Sequence, residues 1–356
     1  MRADEVVDRG DAPGVAIAVV SGDTIVATAA AGSGHLADAT PMSPHAACNW
    51  FSMTKIATAT AAMILVDQGA LDLDAPVSEH LGDVWPSGFA DARVRHLVNH
   101  SSGLRNPMPI RWVHRAGEPM PDAPQFLGRL LAKQKRPRFA PGSRAAYSNV
   151  GYLALGAIIS EVTGDEYTHF VHQALLEPLG MSHTAFRWTD ASVASAPRAT
   201  GYQRASRPVA WLVDHYLPPG IIGERSGKLV ALEPFELDGP AYGGLIGPVV
   251  DAARLVALHC NDGTVAGRQL LSPRSVREMS AIVTRGKPYD LGLGWFRPRG
   301  ESGPHVEHLG GGMGFWNVLR IDPTTGRGVA VMSNTSRRWD IAAFGDDAVA
   351  DGLGRG

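Results

Sequence analysis

Strand-like apolar runs occupy both ends of the chain, and a long stretch of helix-like segments broken by proline and glycine lies between them. Near the amino end, Val15-Ala-Ile-Ala-Val-Val20 and Thr24-Ile-Val-Ala-Thr-Ala29 flank a Ser-Gly-Asp turn, which predicts a hairpin. Near the carboxyl end the strand-like runs are 292–297, 314–321 and 328–333, and the last is apolar enough for a central strand. Helical segments are expected at 93–99, 123–131, 151–163, 250–260 and 273–282. A sheet assembled from the two termini with a helical insertion follows, an α/β (α+β) arrangement whose site lies in the cleft. Residues 1–75 and 241–356 are expected to form the sheet-containing lobe and 76–240 the mainly helical one.

One short motif carries chemistry. In Asn49-Trp50-Phe51-Ser52-Met53-Thr54-Lys55 a serine and a lysine stand three apart, and S-x-x-K occurs nowhere else in the chain. The residues that follow, Ile56, Ala59, Met63 and Val66, recur at helical spacing up to Gly69, so Ser52 falls at the start of a buried helix. Residues three apart on a helix have Cβ atoms about 5–6 Å from each other, close enough for hydroxyl and amine to share a proton. A lysine accepts that proton only if its pKa is lowered toward neutrality. Helix-start N–H groups can in turn stabilise an oxyanion.

Two further motifs fit the same site. In Tyr147-Ser148-Asn149 a tyrosine beside a lysine ammonium can hold a lowered pKa and act as base, while the asparagine amide can hold a substrate carbonyl and the lysine. A turn before a helix would leave the same residues. In Glu307-His308-Leu309-Gly310-Gly311-Gly312 the glycines let a backbone approach a ligand, and a strand-edge N–H can complete an oxyanion hole with that of Ser52. A second H-x-G, His80-Leu81-Gly82, falls in a polar connection and is assigned to a loop.

The order S-x-x-K, Y-x-N, H-x-G resembles the β-lactamase-like serine hydrolases: class C β-lactamases, D-alanyl-D-alanine peptidases and related esterases. Segments 96–104, 176–181 and 243–246 look like that family's connecting segments, so the resemblance covers nearly the whole chain. It implies a single catalytic domain, 1–356, with an antiparallel sheet flanked by helices plus the helical lobe. It also implies Ser52 as the acylated nucleophile, Lys55 with Tyr147 as the proton relay, and Asn149, His308, Gly310 and Gly311 as substrate-binding residues. Ser52 and Gly311 would supply the oxyanion N–H groups. No cofactor or metal is implied.

Two departures shift the expected substrate. The lactamases and peptidases carry Lys-Thr-Gly where this chain has His308-Leu309-Gly310, and a neutral histidine anchors a carboxylate poorly. Phe51 before the nucleophile resembles the esterase-like and acyltransferase-like branches, and an aromatic wall favours apolar acyl groups. A small ester is therefore expected first, and a β-lactam, amide or D-amino-acid peptide second. Acyl transfer and a non-catalytic sensor of the same fold complete the alternatives. Trp50, Trp295 and Trp316 lie near the motifs and belong either to the pocket or to the core.

Other classes fit less well. With a net charge of −2 and no basic run longer than three, the chain has no nucleic-acid footprint. His96 and His100 have the spacing of a zinc pair but lack the glutamate of H-E-x-x-H, and no serine stands in G-x-S-x-G. Cys48 and Cys260 suggest neither a disulfide framework nor a metal site. The acidic amino terminus and the lack of a long apolar run predict a cytoplasmic protein with no membrane partner. Oligomeric state has no signature.

Overall fold

The computed structural model describes residues 2–109, 111–204, 217–301 and 303–353. Gly14–Ser21 and Thr24–His35 form the expected hairpin, turning through Gly22 at a φ of +59°. On its other edge Gly14–Ser21 pairs antiparallel with Arg327–Ser333, Val15 opposite Ser333 and Ser21 opposite Arg327. The two ends of the chain thus meet in the middle of an eight-stranded sheet. Its order is Tyr289–Leu291, Phe296–Pro298, Val306–Gly312, Phe315–Asp322, Arg327–Ser333, Gly14–Ser21, Thr24–His35 and Thr40–Pro41, with every pairing antiparallel.

Alternation along the central strands explains why both faces are covered. Val15, Ile17, Val19, Val318, Val329 and Val331 pack with Ile341 and Phe344 of the helix Ile341–Leu353. Their neighbours Ala16, Ala18, Val20, Leu319, Ala330 and Met332 join the main core with the helix Val249–Cys260. A slip of one residue would exchange the two sets, so register is tightly specified.

Helices stand within two residues of the expected places, at Val94–Val98, Ala123–Leu131, Asn149–Thr163, Val249–Cys260 and Pro273–Ser280. The strand expected from 292 begins only at Phe296, because Gly294 turns the chain at a φ of +92°. There a Cβ would lie 2.9 Å from that of Ala59. The second H-x-G is not wholly loop: His80 and Leu81 end a short helix, Val77–Leu81, which stops at Gly82. Residues 76–240 also hold two small sheets that the sequence pattern did not signal. One pairs Val113–Arg115 with Phe235–Leu237, and the other aligns Gly201–Arg204, Leu229–Leu232 and Ile222–Ser226. Among the described residues no helix is long and apolar enough to cross a membrane.

The first of these small sheets walls the cleft and is pinned by His114. Its Nδ1 lies 2.7 Å from Asp238 Oδ1 and its Nε2 3.2 Å from Glu236 Oε2. Burial alone would lower the pKa of His114, but the two carboxylates outweigh it and raise the value from 6.5 to about 9. Because the folded value exceeds the unfolded one, the pair stabilises fully below pH 6.5 and loses that contribution as pH rises to about 9. His114→Gln is expected to unfold about 3 kcal/mol more easily than the parent at pH 6, the scale for breaking a buried pair. Denaturant titrations across pH should show the gap closing in alkali, and a gap independent of pH would exclude this role.

Candidate active site

Phe51–Met53 make one turn of 3₁₀ helix that runs directly into the helix Thr54–Asp67. The expectation that Ser52 opens a buried helix is met with this one refinement. Phe51, Met53, Thr54 and Lys55 are buried, while Ser52 is half-buried and faces the cleft. Phe51 adopts a φ of +51°, a left-handed conformation that strains a non-glycine residue. Its ring is held among Phe235 and Phe315, with centroids at 6.1 and 6.4 Å.

Lys55 is completely buried, and its Nζ lies 3.2 Å from Ser52 Oγ, 2.9 Å from Asn149 Oδ1 and 2.5 Å from the carbonyl oxygen of Tyr242. All three partners are uncharged. With no carboxylate to compensate, burial drives the lysine pKa far below its ordinary value. The rings of Tyr147, Tyr152 and Tyr242 complete the enclosure, with centroids 4.8, 5.4 and 5.4 Å from Nζ. A neutral amine in this position can accept the serine proton.

Tyr147 approaches from the other side, its hydroxyl donating to Ser52 Oγ at 2.6 Å. Here the sequence expectation fails. Burial raises the phenol pKa above its ordinary value, and the same burial lowers that of the lysine meant to acidify it.

Asn149 begins the helix Asn149–Thr163, which Ser148 caps by accepting the Gly151 N–H. The Asn149 side chain is spoken for by Lys55, and its backbone N–H donates to Asn106 Oδ1 at 2.9 Å. Neither Asn106 nor the Tyr242 carbonyl could be named from sequence. A backbone oxygen leaves no residue-type signal, although the Gly243-Gly244 that follows Tyr242 marks an unusual turn.

The glycine strand, Val306–Gly312, passes hard against the turn that carries Ser52. A Cβ on Gly310 would lie 2.2 Å from the Trp50 carbonyl oxygen, and one on Gly312 would lie 2.1 Å from the Phe51 ring. That close approach to Trp50 and Phe51 requires glycine here, where the sequence suggests approach to a ligand. Gly311 lines the cleft with Ser52. His308 is buried and donates from Nδ1 to the Leu309 carbonyl at 2.8 Å, which leaves Nε2 as a lone-pair acceptor with no partner. Burial pulls its pKa to about 3, so the imidazole is neutral.

The cleft at Ser52 is a cavity of about 370 Å³ whose apolar wall includes Phe51, Val113, Leu217, Leu232, Leu237 and Met313. Among the described lining residues there is no Asp, Glu, Lys or Arg. Trp50, Trp295 and Trp316 do not line it. Each donates its indole N–H to another partner, Gly247, His259 and Trp339 respectively; Trp50 and Trp295 are buried in the core, and the half-buried Trp316 packs against it. A larger cavity of about 690 Å³ lies behind the Pro240–Tyr242 turn, lined by His80, Leu127, Gly156 and Tyr167, but the groups around Ser52 are not in it. The zinc pair does not form: His96 Nδ1 accepts the Arg93 N–H, and His100 packs against Tyr147.

Known proteins of the same kind are found along the whole chain. A penicillin-binding protein of Bacillus subtilis (strain 168) is 25% identical over 81% of the chain and 60% of its own length. The N-acetylmuramyl-L-alanine amidase of the same strain is 25% identical over 94% of the chain and 80% of its own length. Among solved structures, the octameric penicillin-binding protein homologue from Pyrococcus abyssi superimposes with a TM-score of 0.79 at 26% identity, covering 99% of this chain and 75% of that one. The model of the Beta-lactamase family matches residues 2–353, which include all three motifs of the cleft. The chain therefore belongs to the beta-lactamase family, the β-lactamase-like serine hydrolases.

Proposed function

We propose that the chain hydrolyses uncharged carboxylic esters with an apolar acyl group, through an acyl-enzyme on Ser52. The lack of Asp, Glu, Lys and Arg among the described lining residues of the cleft supports this reading. A substrate carboxylate would find no cation on the described walls, and His308, which stands where the sequence resemblance implies the lysine of Lys-Thr-Gly, is neutral at any physiological pH.

In the reaction, Ser52 Oγ adds to the ester carbonyl as its proton passes to Lys55 Nζ. The oxyanion forms between the backbone N–H groups of Ser52 and Gly311. Collapse expels the alkoxide, which takes the Tyr147 hydroxyl proton, and the Lys55 ammonium returns a proton to Tyr147. Water then repeats the sequence on the acyl-enzyme and frees Ser52. Asn149 keeps the lysine aimed at Ser52 and offers its amide to the substrate. His308 Nε2 remains as a neutral acceptor.

Amide or peptide cleavage is the second reading, favoured by the amidase relative that matches 94% of the chain. Kinetics on p-nitrophenyl acetate through octanoate, beside nitrocefin, a D-amino-acid amide and a D-Ala-D-Ala peptide, separate the two. The esters should exceed the carboxylate-bearing substrates in kcat/KM by about 100-fold or more, since an unpaired charge in a dry site weighs heavily. Faster turnover of the lactam, the amide or the peptide than of every ester would sink the ester reading.

A further inference from the structure

We infer that His100 is a positioning residue for the reaction, holding Tyr147 at the nucleophile. The inference rests on the reading of Ser52 and Tyr147 given above.

His100 brackets Tyr147 on three sides. Its carbonyl accepts the Ala146 N–H at 2.8 Å, and its Nδ1 accepts the Ser148 N–H at 3.2 Å. Between those two anchors its ring lies on the Tyr147 ring, with centroids 4.5 Å apart and planes 36° apart. The far end of the same ring pair is closed by Tyr152, 5.0 Å from His100 and fixed in turn by a hydroxyl bond to the Val98 carbonyl. One residue thus holds the backbone before Tyr147, the backbone after it, and its aromatic face.

Two features of His100 oppose folding. Its φ is +56°, which strains any residue other than glycine, although His is among the better tolerated. Since Nδ1 accepts, the ring hydrogen sits on Nε2, and this N–H is buried with no partner in a residue only 2% exposed. Glycine would relieve the strain and an apolar side chain would remove the orphaned N–H. A position chosen for stability would hold neither feature, whereas strain and unmet polarity persist where they fix a working geometry. The geometry fixed here is the 2.6 Å bond from Tyr147 to Ser52.

The test compares His100→Gly with His100→Asn, whose amide oxygen can accept the Ser148 N–H and whose backbone tolerates the left-handed region. In crystal structures, Tyr147 should withdraw from Ser52 Oγ in the glycine variant and stay within hydrogen-bond distance in the asparagine variant. With p-nitrophenyl butyrate, kcat should fall about 100-fold for glycine with KM within about threefold, the scale of an ångström-sized misplacement. Asparagine should recover about tenfold or more of that loss. If the glycine variant does not fold, His100→Phe replaces it, keeping a ring but no acceptor, and the same contrast with asparagine is expected. Tyr147 still bonded to Ser52 and kcat within about threefold of the parent would overturn the inference. So would glycine and asparagine variants equally impaired in proportion to lost thermal stability. A parent enzyme that acquires no acyl group would end the hydrolase reading, and the crystallographic distances would still decide the role of His100.

Discussion

Replacing Ser52 with alanine is expected to lower kcat on an activated ester by about 10⁴-fold or more while KM changes little, the scale for loss of a covalent nucleophile. Ser52 Oγ is the atom on which both halves of the relay converge, Lys55 Nζ at 3.2 Å and the Tyr147 hydroxyl at 2.6 Å. Alanine removes that meeting point and leaves the apolar walls of the cleft in place. The residues of the relay act as a unit, so adding a Lys55 substitution to Ser52→Ala should lower kcat little further. Steady-state kinetics of the single and double variants check both statements. A Ser52→Ala enzyme within about tenfold of the parent would move the nucleophile to another residue.

Lys55→Met should lower kcat by about 10³-fold, within the range for loss of a general base. Its effect on stability is the more telling one. The folded-state pKa of Lys55 lies below the 10.5 of an unfolded chain, so between the two values the unfolded chain holds a proton that the folded one lacks. Raising the pH strips that proton from the unfolded chain, and the parent gains stability up to about pH 10.5. One such proton gives a slope of about 1.4 kcal/mol per pH unit. Methionine has no titrating group, and the variant loses that slope. The parent should therefore pull ahead of Lys55→Met as the pH rises toward 10.5 in denaturant titrations. Parallel curves would mean that the buried lysine is charged in the folded protein.

The site was legible in sequence where its chemistry required a residue type, and illegible where it used the backbone. Ser52 and Lys55 stood out because a helix brings residues three apart together, and Gly310 because of its H-x-G motif, although what requires glycine there is the close passage against Trp50. The Tyr242 carbonyl, which makes the shortest contact to Lys55, has no such signature. Burial was also out of reach: it reversed the expected acidity of Tyr147, since the pattern Tyr-x-Asn says nothing of how dry its surroundings are. At the level of the fold, apolar runs at both termini predicted a shared sheet, and Gly14–Ser21 does pair with Arg327–Ser333. The short strands Val113–Arg115 and Phe235–Leu237 were missed because three residues show no usable alternation. Their pairing is long-range, and its pin is the contact of His114 with Asp238, 124 positions apart.

Intact-protein mass spectrometry of the enzyme quenched seconds after mixing with p-nitrophenyl butyrate tests the central claim most directly. The parent should gain the mass of one butyryl group, digestion should place it on Ser52, and Ser52→Ala should gain nothing. Ester turnover with no adduct under any quench, or an acyl group mapped to a different residue, would contradict the account.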